Sequence, residues 1–221
     1  MNRITPLSGA LLTAGYLFGG FAIGVGIGGV VGTPGHSTLA IARNVVAGVI
    51  ALTCMIAGGR LWGRELALRV GADDVRRASR AGALSFGPGA LVAGLALTAL
   101  EGLVVQQQRG PSLPIHVVYG FLFVPAVFFV ASSAVLVLGA GLRIDKNRRW
   151  RLALTCGIAA AAAHLVVYRM MDRAGWRIGA PDAARRATMI VVTSLGALAA
   201  ALAGGATLGY FLSRVARQEN S

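Results

Sequence analysis

The 221 residues have the length of one domain, but 56% are hydrophobic, 13% are charged and the mean hydropathy is +0.70, a balance foreign to an ordinary soluble core. Intrinsic disorder needs low hydrophobicity and a secreted disulfide scaffold needs more than Cys54 and Cys156, so both are excluded. The formal charge of +13 would suggest nucleic acid in a soluble protein, yet the bases, all Arg except Lys146, cluster between apolar segments as topogenic charges do beside membrane spans; anionic lipid is the expected partner and nucleic acid is not.

Six apolar segments follow one another at about 8–32, 38–59, 82–105, 114–141, 151–168 and 187–213. Lipid demands internal partners for every backbone polar group, and the runs lack the alternating pattern of a membrane barrel, so the fold class is all-α: a polytopic helix bundle forming a single transmembrane domain over 1–221. The first segment carries Gly20, Gly24, Gly28 and Gly32 at a spacing of four, which stacks them on one helix face and lets another backbone approach closely. Segment six repeats the device with Ala197, Ala201, Gly205 and Gly209. Packing between spans one and six is the plain expectation; a homo-oligomer or a partner membrane subunit is the other use of such faces. Between segments two and three, Arg60 to Arg80 mixes Leu61, Trp62, Leu66, Leu68 and Val70 with Arg60, Arg64 and Arg69. It reads either as a helix lying along the inner membrane surface or as a cytoplasmic extension of the second span. Ser85-Phe86-Gly87-Pro88-Gly89 and Pro125 are candidate helix breaks in segments three and four.

Charge placement sets the orientation. Six crossings with both termini cytoplasmic put fourteen bases inside and seven outside, whereas five crossings, with 151–168 kept out of the bilayer, give seventeen against four. Six is retained because 152–168 has no formal charge and is bracketed by Trp150 and Tyr168, about 27 Å apart along a helix, an aromatic-belt spacing. A cytoplasmic membrane protein is expected. The echo of ALTCMIAG (51–58) in ALTCGIAA (153–160) raises a 3+3 inverted repeat, a transporter arrangement.

Arg43, Glu101, His116 and His164 are the ionisable residues inside apolar segments, where charge is costly and marks candidate sites. Counted along their segments all four fall near the outer boundary, so they are expected to converge on one outward-side cavity, with an Arg43–Glu101 ion pair and Asn44 beside it as a binding cluster. No catalytic motif, zinc spacing or phosphate loop appears in the sequence, and no enzyme activity, metal or cofactor is expected. The two cysteines lack a neighbouring charge that would favour a thiolate and read as apolar filler. The expectation is a small permease or channel-like protein for a small solute or ion; the alternative is a non-catalytic subunit of a larger membrane complex.

Overall fold

A computed structural model describes residues 4–19, 38–86, 115–174 and 183–218, and these are helical apart from their connections, with no strand among them. We label the helices α1 (Pro6–Thr13, continued by a wider π turn over Ala14–Phe18), α2 (Thr38–Val70), α3 (75–86), α4 (Ile115–Gly141), α5 (Lys146–Arg173) and α6 (Ala183–Gln218). Among the described residues, four stretches are long and apolar enough to cross a membrane: Ile41–Val70, Phe123–Gly141, Lys146–Arg173 and Ser194–Arg214. The segment 151–168 thus belongs to such a helix.

Each helix start and stop has a local cause. Thr5 accepts from the Ser8 amide at 3.1 Å while the Ser8 hydroxyl accepts from the Thr5 amide at 2.8 Å, with Pro6 at the first helical position, a reciprocal cap that satisfies donors the first turn leaves orphaned. Helix α2 ends where Gly71 takes φ 72°, and the Ala72 amide then donates back to the Ala67 carbonyl at 2.9 Å, the bond of a Schellman terminus. Asp74 opens α3 by accepting from the Arg77 amide at 2.8 Å. The second turn repeats this plan with Arg143 in the left-handed role, φ 57°, the Ile144 amide donating to the Gly139 carbonyl at 2.9 Å and Asp145 capping α5 through the Asn147 amide at 3.0 Å. Helix α4 is continuous through Pro125.

The two turns lie at the same end of the bundle, because a methyl placed on Gly141, at the end of α4, would stand 3.2 Å from the Ala78 Cα near the start of α3. Thr5 and Leu212 are brought to that end too: α1 runs antiparallel to α6, with Gly9 against Gly205 and Thr5 against Gly209. Helix α5 packs between α4 and α6. Its buried face, Leu152, Ala153, Cys156, Gly157, Ala160, Ala161, His164 and Tyr168, follows the helical period. The opposite face exposes Leu154, Ile158, Leu165 and Val166, an apolar surface that suits lipid and not water. The densest core, built on Trp62, Leu66, Leu138, Leu152, Leu208 and Leu212, gathers toward the turn end.

One reading of the sequence is settled here. Residues 60–80 do not form a separate surface helix; they are the last turns of α2, a tight turn and the first turns of α3, folded as a hairpin. The cause is a close crossing in which Gly59 meets Gly82 and Gly63 meets Ala78, backbone against backbone, a small-residue contact that gains dispersion energy without a side chain between the helices. Trp62 is only 2% exposed in this hairpin, stacks edge-on against Phe86 with ring centroids 5.5 Å apart, and donates its indole N–H to the Thr13 hydroxyl at 3.1 Å. The Ser85 hydroxyl lies between the Ala81 carbonyl of its own helix, at 2.6 Å, and the Ala134 carbonyl of α4, at 3.1 Å, its one proton shared between them.

Candidate functional site

The described helices border a partly open cavity of about 190 Å³, to which each of them contributes lining residues. Thr13, Leu17 and Phe18 come from α1 and its π turn, Met55 and Trp62 from α2, Phe86 from α3, Phe123, Val127 and Val130 from α4, Cys156 and His164 from α5, and Ala197, Ala201 and Gly205 from α6. The wall is almost wholly apolar. Its polar groups are the bonded Thr13–Trp62 pair, the Cys156 thiol and the His164 imidazole. Room is left because α6 lines the space mainly with Ala197, Ala200, Ala201, Gly204 and Gly205, with Leu208 at one end, and α4 adds Ala126, Ala131 and Ala134. The π turn over Ala14–Phe18 widens α1 where it borders the cavity, a distortion of the kind often found beside functional sites.

His164 is 2% exposed. Its ring occupies the room that a side chain at position 196 would need: a methyl on Gly196 would overlap Nδ1 and the adjacent ring carbon. The sequence singled out His164, and the structure places it in the cavity wall. The histidine also takes part in an interaction of its own.

The other residues of the expected cluster are distributed differently. Arg43 lies on α2, half-buried and engaged in an interaction. It does not line the cavity; Met55, the cavity residue of α2 nearest to it in sequence, is twelve positions further on, about 18 Å along a helix. Asn44 and His116 sit in α2 and in the first turn of α4, where the structure describes the backbone alone. Glu101 falls outside the described residues, as do Gly20, Gly24, Gly28 and Gly32. Of the α6 stripe, Gly205 and Gly209 are pressed against α1 at Gly9, Thr13 and Thr5, while Ala197 and Ala201 face the cavity. Among the described residues no cluster of His, Cys, Asp and Glu could hold a metal ion. Cys54 is half-buried and Cys156 buried, both as free thiols.

Sequence reasoning missed Thr13, Trp62 and Phe86 as site residues. Trp62 could have been found: Gly59 and Gly63 flank it at a spacing of four, as Ala78 and Gly82 do on the return helix, and such a pair in a stretch that ends in Gly71 and Asp74 signals a hairpin. No protein-family model, curated protein or solved structure matches the chain.

Proposed function

We propose that this chain is a six-crossing membrane protein of the permease type whose central chamber holds a small amphipathic solute. The observation that carries the reading is the chamber, lined by residues of all the described helices. Ligand sites are concave and mostly apolar, with a few polar groups that fix orientation, and this one has His164 and the Thr13–Trp62 pair in that role. At about 190 Å³ it exceeds the ~150 Å³ apolar cavity known to accept benzene, so the solute is of that size. The apolar wall and the position of Arg43 away from it disfavour an ion as cargo, since an ion must exchange its hydration shell for polar ligands.

Six crossings are supported by the fact that each of the six apolar segments is helical wherever it is described. Antiparallel α1 and α6 favour both termini on one side, and Arg76, Arg77, Arg148 and Arg149 beside the turns favour the cytoplasm for that side, by the positive-inside rule. The inverted 3+3 arrangement belongs to the proposal as well: the echoed segments lie in α2 and α5, which run in opposite directions as inversion requires.

The test is reconstitution into proteoliposomes and uptake of a panel of benzene-sized amphipathic solutes, comparing the wild type with Ala201→Phe, which places a ring in the chamber. Saturable uptake lost in the variant is expected; equal uptake by both and by empty vesicles contradicts the proposal. The accessory-subunit reading has one observation in its favour. Methyl groups on Gly15, Gly19 and Gly48 would meet no described atom within 4 Å, so among the described residues these small-residue positions are not packed against a neighbouring helix, as a partner helix would require. Copurification of a stoichiometric membrane partner in mild detergent, with no uptake, would select it.

A further inference from the structure

A second concave site lies at the turn end of the bundle, between α1 and the last turn of α2, lined by Ser8, Leu11, Leu12, Gly15, Tyr16 and Arg69, with a volume of about 380 Å³. Arg69 is half-buried there, and its Nε is closed off from solvent with no hydrogen-bond partner. A guanidinium presents its donors in a planar fork suited to phosphate and carboxylate, and leaving a buried donor unmet is costly. The end of α2 does not need this Arg as a cap, because the Gly71 turn already returns the Ala72 amide to the Ala67 carbonyl. Ser8 is similarly committed, to the cap at Thr5. Beside Arg69 and Ser8 the lining is Leu11, Leu12, Gly15 and Tyr16 of α1 and its π turn, largely apolar, and Leu11 is 59% exposed.

We propose that this groove is a binding site for an anionic phospholipid, the phosphate of its headgroup held by Arg69 and the start of its acyl chain lying along Leu11 and Leu12 toward Gly15 and Tyr16, away from the turn end. A free phosphate would satisfy Arg69 alone; the apolar lining that continues the groove selects the lipid. The site rests on the bilayer placement proposed above and is independent of what the central chamber holds, so Arg69→Gln should leave solute uptake per folded molecule unchanged.

The experiment is native mass spectrometry of the detergent-solubilised protein titrated with phosphatidylglycerol or phosphatidylcholine, for the wild type, Arg69→Gln and Arg64→Gln, the last an exposed arginine on the same helix outside the groove. One phosphatidylglycerol is expected to bind the wild type roughly tenfold tighter than phosphatidylcholine, a ratio in keeping with one charge-assisted contact. Arg69→Gln should remove that preference and Arg64→Gln should keep it. Equal binding of the two lipids by the wild type, or an equal loss in both variants, overturns the proposal. So does displacement of the bound lipid by inorganic phosphate beyond that caused by chloride at matched ionic strength. Should Arg69→Gln fail to accumulate, hydrogen exchange of the wild type decides: phosphatidylglycerol, and not phosphatidylcholine, should slow exchange over 5–16 and 66–72, and identical exchange in both lipids counts against the site.

Discussion

Replacing Gly205 by Ala tests the packing logic with a single methyl group. That methyl would stand 2.6 Å from the Gly9 carbonyl oxygen and 2.6 Å from the Thr13 Cβ, and would overlap the Thr13 hydroxyl. The obstacles are the backbone and the base of a side chain, which cannot swing aside, so α1 must move off α6 by a good part of an ångström. Overpacking of this kind costs about 1 to 3 kcal/mol. The same hydroxyl accepts the buried Trp62 indole N–H, and displacing it adds a further ~1 kcal/mol. Against this, Ala is favoured over Gly within a helix by about 1 kcal/mol. The net expectation is a loss of about 1 to 3 kcal/mol. Gly48→Ala is the internal control, since its methyl meets no described atom within 4 Å; it should be neutral or stabilise by up to ~1 kcal/mol. Equilibrium unfolding of the purified protein in mixed micelles, following Trp fluorescence, measures both. If Gly205→Ala unfolds at the same denaturant fraction as Gly48→Ala, α1 and α6 do not cross as described.

Four further outcomes follow from the same geometry. Arg143→Gly relieves a left-handed backbone at φ 57° and should raise stability by about 1 kcal/mol in the same unfolding assay; a loss would mean that the Arg143 side chain makes a contact worth more than the strain. Trp62→Phe and Thr13→Val should each destabilise by about 1 to 3 kcal/mol, and the double variant by clearly less than the sum, because both remove one hydrogen bond; strict additivity would show that the bond contributes nothing. Gly196→Ala, whose methyl overlaps the His164 ring, should destabilise, and Gly196→Ala combined with His164→Ala should recover much of that loss, as unfolding midpoints will show. In a Cys54→Ala background Cys156, 1% exposed, should resist a polyethylene-glycol maleimide, too large for the chamber, until the protein is unfolded, with mass spectrometry reporting any earlier labelling.

The all-helical character, with four stretches long and apolar enough to cross a membrane among the described residues, was legible because long apolar runs leave little choice of structure in lipid. The inward face of α5 was legible in principle too, since Cys156, Ala160, His164 and Tyr168 recur at helical spacing. The hairpin at 60–80 was not read, because Arg60 and Arg64 on its exposed face masked Trp62, Leu66 and Ala78 on the buried one; counting composition without the period mixed the two faces. The candidate cluster was argued from depth along each segment. Depth says nothing about which way a side chain faces, and α2 continues past residue 59 to Val70, so positions counted from segment ends did not share a level. Arg43 and His164 are assigned to one cluster on that count; of the two, His164 lines the chamber and Arg43 does not.

The chamber is the centre of the account, and xenon probes it without any assumption about the natural solute, because apolar cavities of this size take up the gas. A ¹²⁹Xe chemical-shift titration of the protein in micelles should show a saturable site in the wild type that is absent from Ala201→Phe, a variant whose fold is checked by its unfolding midpoint. A linear, unsaturable response in the wild type, or the same saturable site in a folded Ala201→Phe, would contradict the presence of an open chamber between these helices.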